Sequence, residues 1–305
     1  MVLRYKRFLE EPREMHKTKP TLVMLAVVLL VLSITVACGQ ESVPTGRFKV
    51  NGHRLYLTCV GKGTPVVVLD AGLGGDHTVW PPVVRRASAL HTQVCAYDRY
   101  GLGLSDGVPG VLSRNVRKTK TIDQTVSDLH ALVRAAKLRG PYVFVAHSIA
   151  GLIDREYARR YRNDVAGMVL LDTAPDDWNA NTGTETFDSG ERLNVTAAST
   201  ALQASDSIGA KPLVVVEAGN DVEVAAEYTN DGNGFQSYWD EAQRSLARIS
   251  RNSIFVVAAE SSHGVPDQAP ELTIETMRLV VNAVRNHTQL PRCAKTKLPK
   301  LGGRC

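Results

Sequence analysis

From Arg47 the chain alternates polar and apolar positions with a period of two. Arg47-Phe48-Lys49-Val50 is followed by Asn51-Gly52 and then by Arg54 to Val60. Asn-Gly between two such runs predicts an antiparallel hairpin, since both residues tolerate the positive φ of a tight turn. Beyond it the pattern changes. Six largely apolar runs, bounded by turn residues, are Pro65–Leu69, Gln93–Tyr97, Tyr142–Ala146, Gly167–Leu171, Leu213–Val216 and Ser253–Ala258. Runs without alternation predict parallel strands covered on both faces. Between them the apolar positions fall at helical spacing, as in Ile122, Val126, Leu129, Leu132, Val133 and Ala136. The last such set is Leu272, Ile274, Met277, Val280, Val281 and Val284. The expectation is an α/β fold: an eight-stranded, mostly parallel sheet with helices on both faces.

Two segments break this rhythm. Residues 173–211 separate the sixth and seventh strands and are rich in Asp, Asn, Thr, Ser and Ala. A connection of that length predicts a small cap over the mouth of the sheet, against the simpler alternative of a solvated excursion. The tail 291–305 carries five basic residues and no acid. Anionic lipid headgroups could meet it, although such a run is more often merely solvated.

Composition narrows the function classes. The 305 residues include 36 Lys and Arg against 31 Asp and Glu, a net charge of +5, with 44% hydrophobic residues. This balance excludes a disordered or fibrous chain, and the charge is too small to indicate a nucleic-acid partner. Residues 1–37 account for +3 of the charge, and they end in an uncharged run of 16 residues, Leu22–Ala37. A membrane-crossing helix needs about 20. A basic flank, a short apolar core and small residues at its end predict a signal peptide over 1–37. Val36-Ala37-Cys38 resembles the lipobox of bacterial lipoproteins, which implies lipidation of Cys38 and a membrane anchor. Cleavage after Ala37 without lipid, giving a soluble secreted protein, and an uncleaved anchor are the alternatives. Each places residues 39–305 outside the cytoplasm, in the cell envelope or beyond it. Without Cys38 four cysteines remain: Cys59, Cys95, Cys293 and Cys305. Cys293 and Cys305 bracket a segment whose Pro and Gly would let it fold back into a disulfide. None of the cysteine spacings matches a metal site.

The chemistry gathers where strands end. The run Tyr142–Ala146 leads into His147-Ser148-Ile149-Ala150, with small residues two before and two after the serine and a helical pattern following. This is the pattern of a nucleophile elbow. The serine sits on a strained strand-to-helix turn, and bulk at those positions would collide across it. The start of the helix favours developing negative charge.

With this motif the chain resembles the α/β-hydrolases of the serine type, the lipases and esterases, over roughly Phe48 to Val284. Four further motifs carry the resemblance. Asp70-Ala71-Gly72-Leu73-Gly74-Gly75 stands where the family has its oxyanion loop, with Ala71 in place of a usual His. Asp98-Arg99-Tyr100-Gly101-Leu102-Gly103-Leu104-Ser105 matches a loop of mainly structural role. Glu217-Ala218-Gly219-Asn220-Asp221 stands where the acid is commonest, and Glu260-Ser261-Ser262-His263 where the histidine falls. The resemblance implies a hydrolase domain over 47–290, joined to the signal peptide by a linker over 38–46. It implies neighbouring second and fourth strands, so Cys59 and Cys95 could pair; two free buried thiols are the alternative.

The same resemblance implies a catalytic triad of Ser148, Asp221 and His263. Asp172, at the end of the sixth strand, is a rival acid, and Glu217 is the remaining one. Leu73 and Ile149 are expected to supply the N–H groups of the oxyanion hole. The expected activity is hydrolysis of a carboxylic ester or related acyl bond on a small-molecule substrate, through an acyl-enzyme, with no cofactor and no metal. Peptidase, thioesterase, C–C hydrolase and acyltransferase chemistry share the triad. From another class, a non-catalytic binding protein on the cell surface would keep the fold but not need the site. The cap and the loop 106–121 are expected to set specificity.

Overall fold

The computed structural model describes residues 43–107, 119–177, 186–189, 191–220 and 233–305. The segment 1–37 expected to be a signal peptide, Cys38, Asp221 and most of the loop 106–121 lie outside them. The Asn51-Gly52 turn joins β1 (Thr45–Val50) to β2 (His53–Val60), an antiparallel pair, with Asn51 at φ 41°. The larger sheet continues with β3 (Val67–Asp70), β4 (Val94–Tyr97), β6 (Tyr142–His147), β7 (Val165–Leu171), β10 (Leu213–Ala218) and β11 (Ser253–Ala258). All eight expected strands form. A ninth, β12 (Gly303–Arg304), adds to the far edge, giving the order β1-β2-β4-β3-β6-β7-β10-β11-β12. The six strands from β4 to β11 in that order run parallel. Their C-terminal ends therefore share one edge, where loops converge.

Alternation inside the buried strands sorts side chains to two faces. Val68, Cys95, Phe144 and Leu170 join one apolar cluster, with Leu129, Leu132, Ile153 and Tyr157 from α1 (Ile122–Ala135) and α2 (Ala150–Arg160). Val67, Leu69, Val145 and Val216 join the other, with Leu272, Met277 and Val280 from α5 (Pro270–Asn286). Cover on both faces explains why these strands lack polar alternation. α1 begins in a capping box: Thr121 Oγ1 accepts from the Gln124 N–H and the Gln124 side chain accepts from the Thr121 N–H. No helix among the described residues is long and apolar enough to cross a membrane.

The inserted segment contains a hairpin, β8 (Thr186–Ser189) with β9 (Glu191–Asn194), and a helix, α3 (Thr196–Ala204). Strand β5 (Lys120–Thr121) pairs with β9, so a second, three-stranded sheet forms in the order β5-β9-β8. Arg155 of α2, its side chain fully buried, gathers the two ends of the insertion. It donates to Asp206 at 2.7 Å, to the Ala174 carbonyl at 3.3 Å and to Asp176 at 3.4 Å.

Cys59 and Cys95 lie opposite each other on β2 and β4 and are disulfide-bonded. Cys293 is bonded to Cys305. This second bridge closes the basic tail, which buries Leu298 and pairs Gly303 and Arg304 with Ala258 and Val257. The tail thus covers the edge of β11, which would otherwise present unpaired backbone groups. Its five basic side chains, Arg292, Lys295, Lys297, Lys300 and Arg304, stay exposed.

Candidate active site

β6 carries its buried backbone to the shared edge of the sheet and ends one residue before Ser148. Ser148 has φ +57°, a left-handed conformation that costs a β-carbon-bearing residue of order 1–3 kcal/mol. Ala146 and Ala150 are fully buried on either side of it. Packing after the turn is equally close. A β-carbon on Gly151 would lie 2.4 Å from that of Thr173. The Ser148 carbonyl accepts from the N–H groups of Gly151 and Ala174, both at 3.0 Å. Ile149 and α2 follow directly.

Two loops and a helix supply the side chains around this turn. His263, after β11, places Nε2 2.9 Å from Ser148 Oγ. Its Nδ1 lies 2.6 Å from Oδ2 of Asp172, which follows β7. Nδ1 donates to the carboxylate, which leaves Nε2 to accept the serine proton. Asp172 is fully buried, with φ +48°. Its other oxygen, Oδ1, accepts from the Ala218 N–H at 3.0 Å and from Trp239 Nε1 at 2.9 Å. Trp239 comes from α4 (Asn233–Ala247). These donors fix the carboxylate plane and keep Oδ2 toward the imidazole.

Among the described residues the position beside His263 is therefore held by Asp172, the rival acid of the sequence analysis; the first choice, Asp221, lies outside them. β7 and β10 are parallel neighbours with Leu171 opposite Val216, so the two strands end side by side. The third candidate, Glu217, is engaged elsewhere. Burial, and then the hydrogen bond and charge of Asp240, push its carboxyl up to about 8.

His147 precedes the serine and braces the histidine loop. Its Nε2–H donates to the His263 carbonyl at 2.7 Å, and the two rings lie 4.8 Å apart. Burial, with the neighbouring His263 second, pushes its pKa down to about 4. At neutral pH it is an uncharged donor and adds no cation beside His263.

The loop after β3 closes the site from the other side. A β-carbon on Gly72 would lie 2.9 Å from His147 Nδ1 and 3.3 Å from Ser148 Cβ, so only glycine allows this approach. Leu73 is next in that loop, and Ile149 is next after Ser148. Arg99, 3% exposed, holds the loop from beneath through the Ala71 and Gly72 carbonyls, each at 2.7 Å. The rest of the Asp98 motif is a knot of backbone bonds. Asp98 accepts from the N–H groups of His77 and Leu104, both at 2.7 Å, and Ser105 Oγ donates to the Asp98 carbonyl at 2.6 Å. Asp76, His77 and Asp98 bring ligand-type atoms within 4.8 Å of one another. Asp98 is already occupied by those amides and by His77 Nδ1, which accounts for the cluster without an ion.

Glu191, Trp239 and Arg155 carry no sequence signal. Each lies outside the motifs and meets its partner only through the tertiary fold.

A base poised on a hydroxyl, itself held by a buried carboxylate, can raise the nucleophilicity of that hydroxyl. The alpha/beta hydrolase fold family matches residues 65–277, and the chain belongs to that family. It is an enzyme of the hydrolase type. The uncharacterized protein YqjL of Bacillus subtilis is 26% identical over 223 residues, which cover 70% of this chain and 81% of that protein. Among solved structures, a thermophilic esterase from Thermogutta terrifontis superposes with a TM-score of 0.56 at 19% identity, over 79% of this chain and 98% of that one. The enol-lactonase of Burkholderia xenovorans gives 0.53 at 20% identity, over 76% and 98%.

Proposed function

We propose that this hydrolase cleaves a carboxylic ester or a related acyl bond through Ser148, with His263 as the base and Asp172 as the acid that orients it. The observation that carries the reading is the unbroken chain from Ser148 Oγ through His263 to a fully buried Asp172, at 2.9 and 2.6 Å. As Oγ attacks the carbonyl carbon, His263 Nε2 takes its proton. The carbonyl electron pair moves onto oxygen, which the N–H groups of Leu73 and Ile149 receive. Collapse of this adduct expels the alcohol, which leaves with the proton from His263. Water, deprotonated by His263, then attacks the acyl-enzyme; the acid departs and Ser148 regains its proton. Asp172 stays ionised and stabilises the imidazolium.

The test is labelling of residues 39–305 with a fluorophosphonate, located by peptide mass spectrometry. A single adduct on Ser148, absent in Ser148→Ala, is expected. Folded protein that takes no label would count against the reading and for a non-catalytic binding role.

The proposal extends to location. Cys38 serves as a lipidated N-terminus that holds the enzyme at the outer face of a membrane. Cys38→Ala is expected to release it from the membrane fraction, and unchanged partitioning with lipid would remove this part of the proposal.

A further inference from the structure

Arg99 has five N–H donors, and the buried space around it holds an acceptor for each. Nη1 donates to Asp70 Oδ1 at 2.5 Å and to the Ala71 carbonyl. Nη2 donates to the Gly72 carbonyl. The remaining edge, Nε with Nη2, meets both oxygens of Glu191, Nε at 3.0 Å from each. Glu191 is 7% exposed and opens β9, so it comes from the cap, 92 residues from Arg99. Its Oε1 also accepts from the N–H of Gly74 at 3.2 Å.

These bonds bracket one peptide group. The Gly72 carbonyl and the Leu73 N–H belong to the same planar trans unit and point in opposite directions. With the carbonyl held down on Arg99, the Leu73 N–H faces away from the buried guanidinium. Gly74, just after it, is tied to Glu191. Leu73 is thus pinned on both sides, and one of the two ties is supplied by the cap.

We propose that Glu191 is a positioning residue that couples seating of the cap hairpin to the orientation of the oxyanion donor at Leu73. This rests on the reading of Ser148 and Leu73 given above. A guanidinium without Glu191 keeps Asp70 and the two carbonyls, so its charge stays paired and the fold survives. What is lost is the anchor on Gly74 and the fork that fixes the rotation of Arg99. Glu191 touches no reacting atom; its effect passes through the 72–74 backbone.

The experiment compares wild type, E191A, E191Q and E191D on a short-chain p-nitrophenyl ester, with rates expressed per fluorophosphonate-titrated site. A phenylboronic acid, whose adduct on Ser148 places an oxygen in the oxyanion hole, is the second probe. E191A is expected to lose about 10²-fold in kcat with KM within about threefold, and to bind the boronic acid weaker by a similar factor. E191Q keeps an acceptor for Gly74 and Arg99 and should lose less than about tenfold. E191D keeps the charge but draws the oxygens back, and should fall between the two. Should E191A not fold, the other two carry the test. Wild-type kcat per titrated site and wild-type boronate affinity in the variants would overturn the coupling, whatever happens to Tm. So would a loss confined to KM. A wild type that takes no label at Ser148 overturns the reading of the site, and this inference with it. Labelled wild type with unaffected Glu191 variants overturns this inference alone.

Discussion

Ser148→Ala is expected to lower kcat by about 10³-fold or more on any ester the enzyme turns over, and His263→Ala by a comparable factor. The double variant should be little worse than either single one, because nucleophile and base act as a unit. Neither change should unfold the protein. Alanine keeps the β-carbon at φ +57°, so the backbone strain at position 148 is unchanged. Without His263, Asp172 still accepts from the Ala218 N–H and Trp239, which keeps the buried carboxylate solvated by the protein. The measurement is steady-state hydrolysis, with circular dichroism as the check on folding. Turnover within a few-fold of wild type in Ser148→Ala would mean that another group attacks the substrate, and the proposed mechanism would fall. Residual activity well above the uncatalysed rate is compatible with it, since an intact oxyanion hole still stabilises charge when water attacks directly.

The serine, the histidine and the acid differ in what each needs from its neighbours in sequence. Ser148 needs a buried strand before it, small residues around it and a helix after it, and all three are written within ten residues. The eight principal strands were equally legible: cover on both faces leaves the six parallel ones as largely apolar runs, and the β1–β2 hairpin shows as polar–apolar alternation across Asn51-Gly52. The acid needs only a strand end near the histidine. β7 and β10 lie side by side, so the sequence offers a carboxylate after either strand without choosing between them. What favours Asp172 is three-dimensional: a left-handed turn at φ +48°, and donors from Ala218 and Trp239 that fix one oxygen and turn the other toward His263. β12 was invisible for another reason. Two residues, Gly303 and Arg304, have no periodicity, and their pairing with β11 follows from how the disulfide-closed tail folds back. Glu191 is the extreme case. Its partner Arg99 is 92 residues away, and an isolated glutamate in a polar insertion reads as a solvated side chain.

Asp172→Asn is expected to lower kcat by about 10³- to 10⁴-fold, whereas Asp221→Asn should leave it within a few-fold of wild type. The size of the first effect follows from the hydrogen-bond pattern. Oδ1 of Asp172 receives two donors, the Ala218 N–H and Trp239 Nε1, so the asparagine carbonyl oxygen must take that place. The amide NH₂ is then left facing His263 Nδ1, where Oδ2 stood at 2.6 Å. A donor at that position selects the tautomer with a bare Nδ1 and a protonated Nε2. Nε2–H then faces Ser148 Oγ and cannot take its proton, so the base is present but in the wrong form. The near-isosteric side chain keeps packing intact, which separates this loss from unfolding. Hydrolysis of one ester by the two variants decides between the acids. A large loss in Asp221→Asn with a small one in Asp172→Asn would move the acid to the end of β10. Equal small losses would show that the imidazole needs no carboxylate, and that the 2.6 Å contact holds the loop rather than the proton.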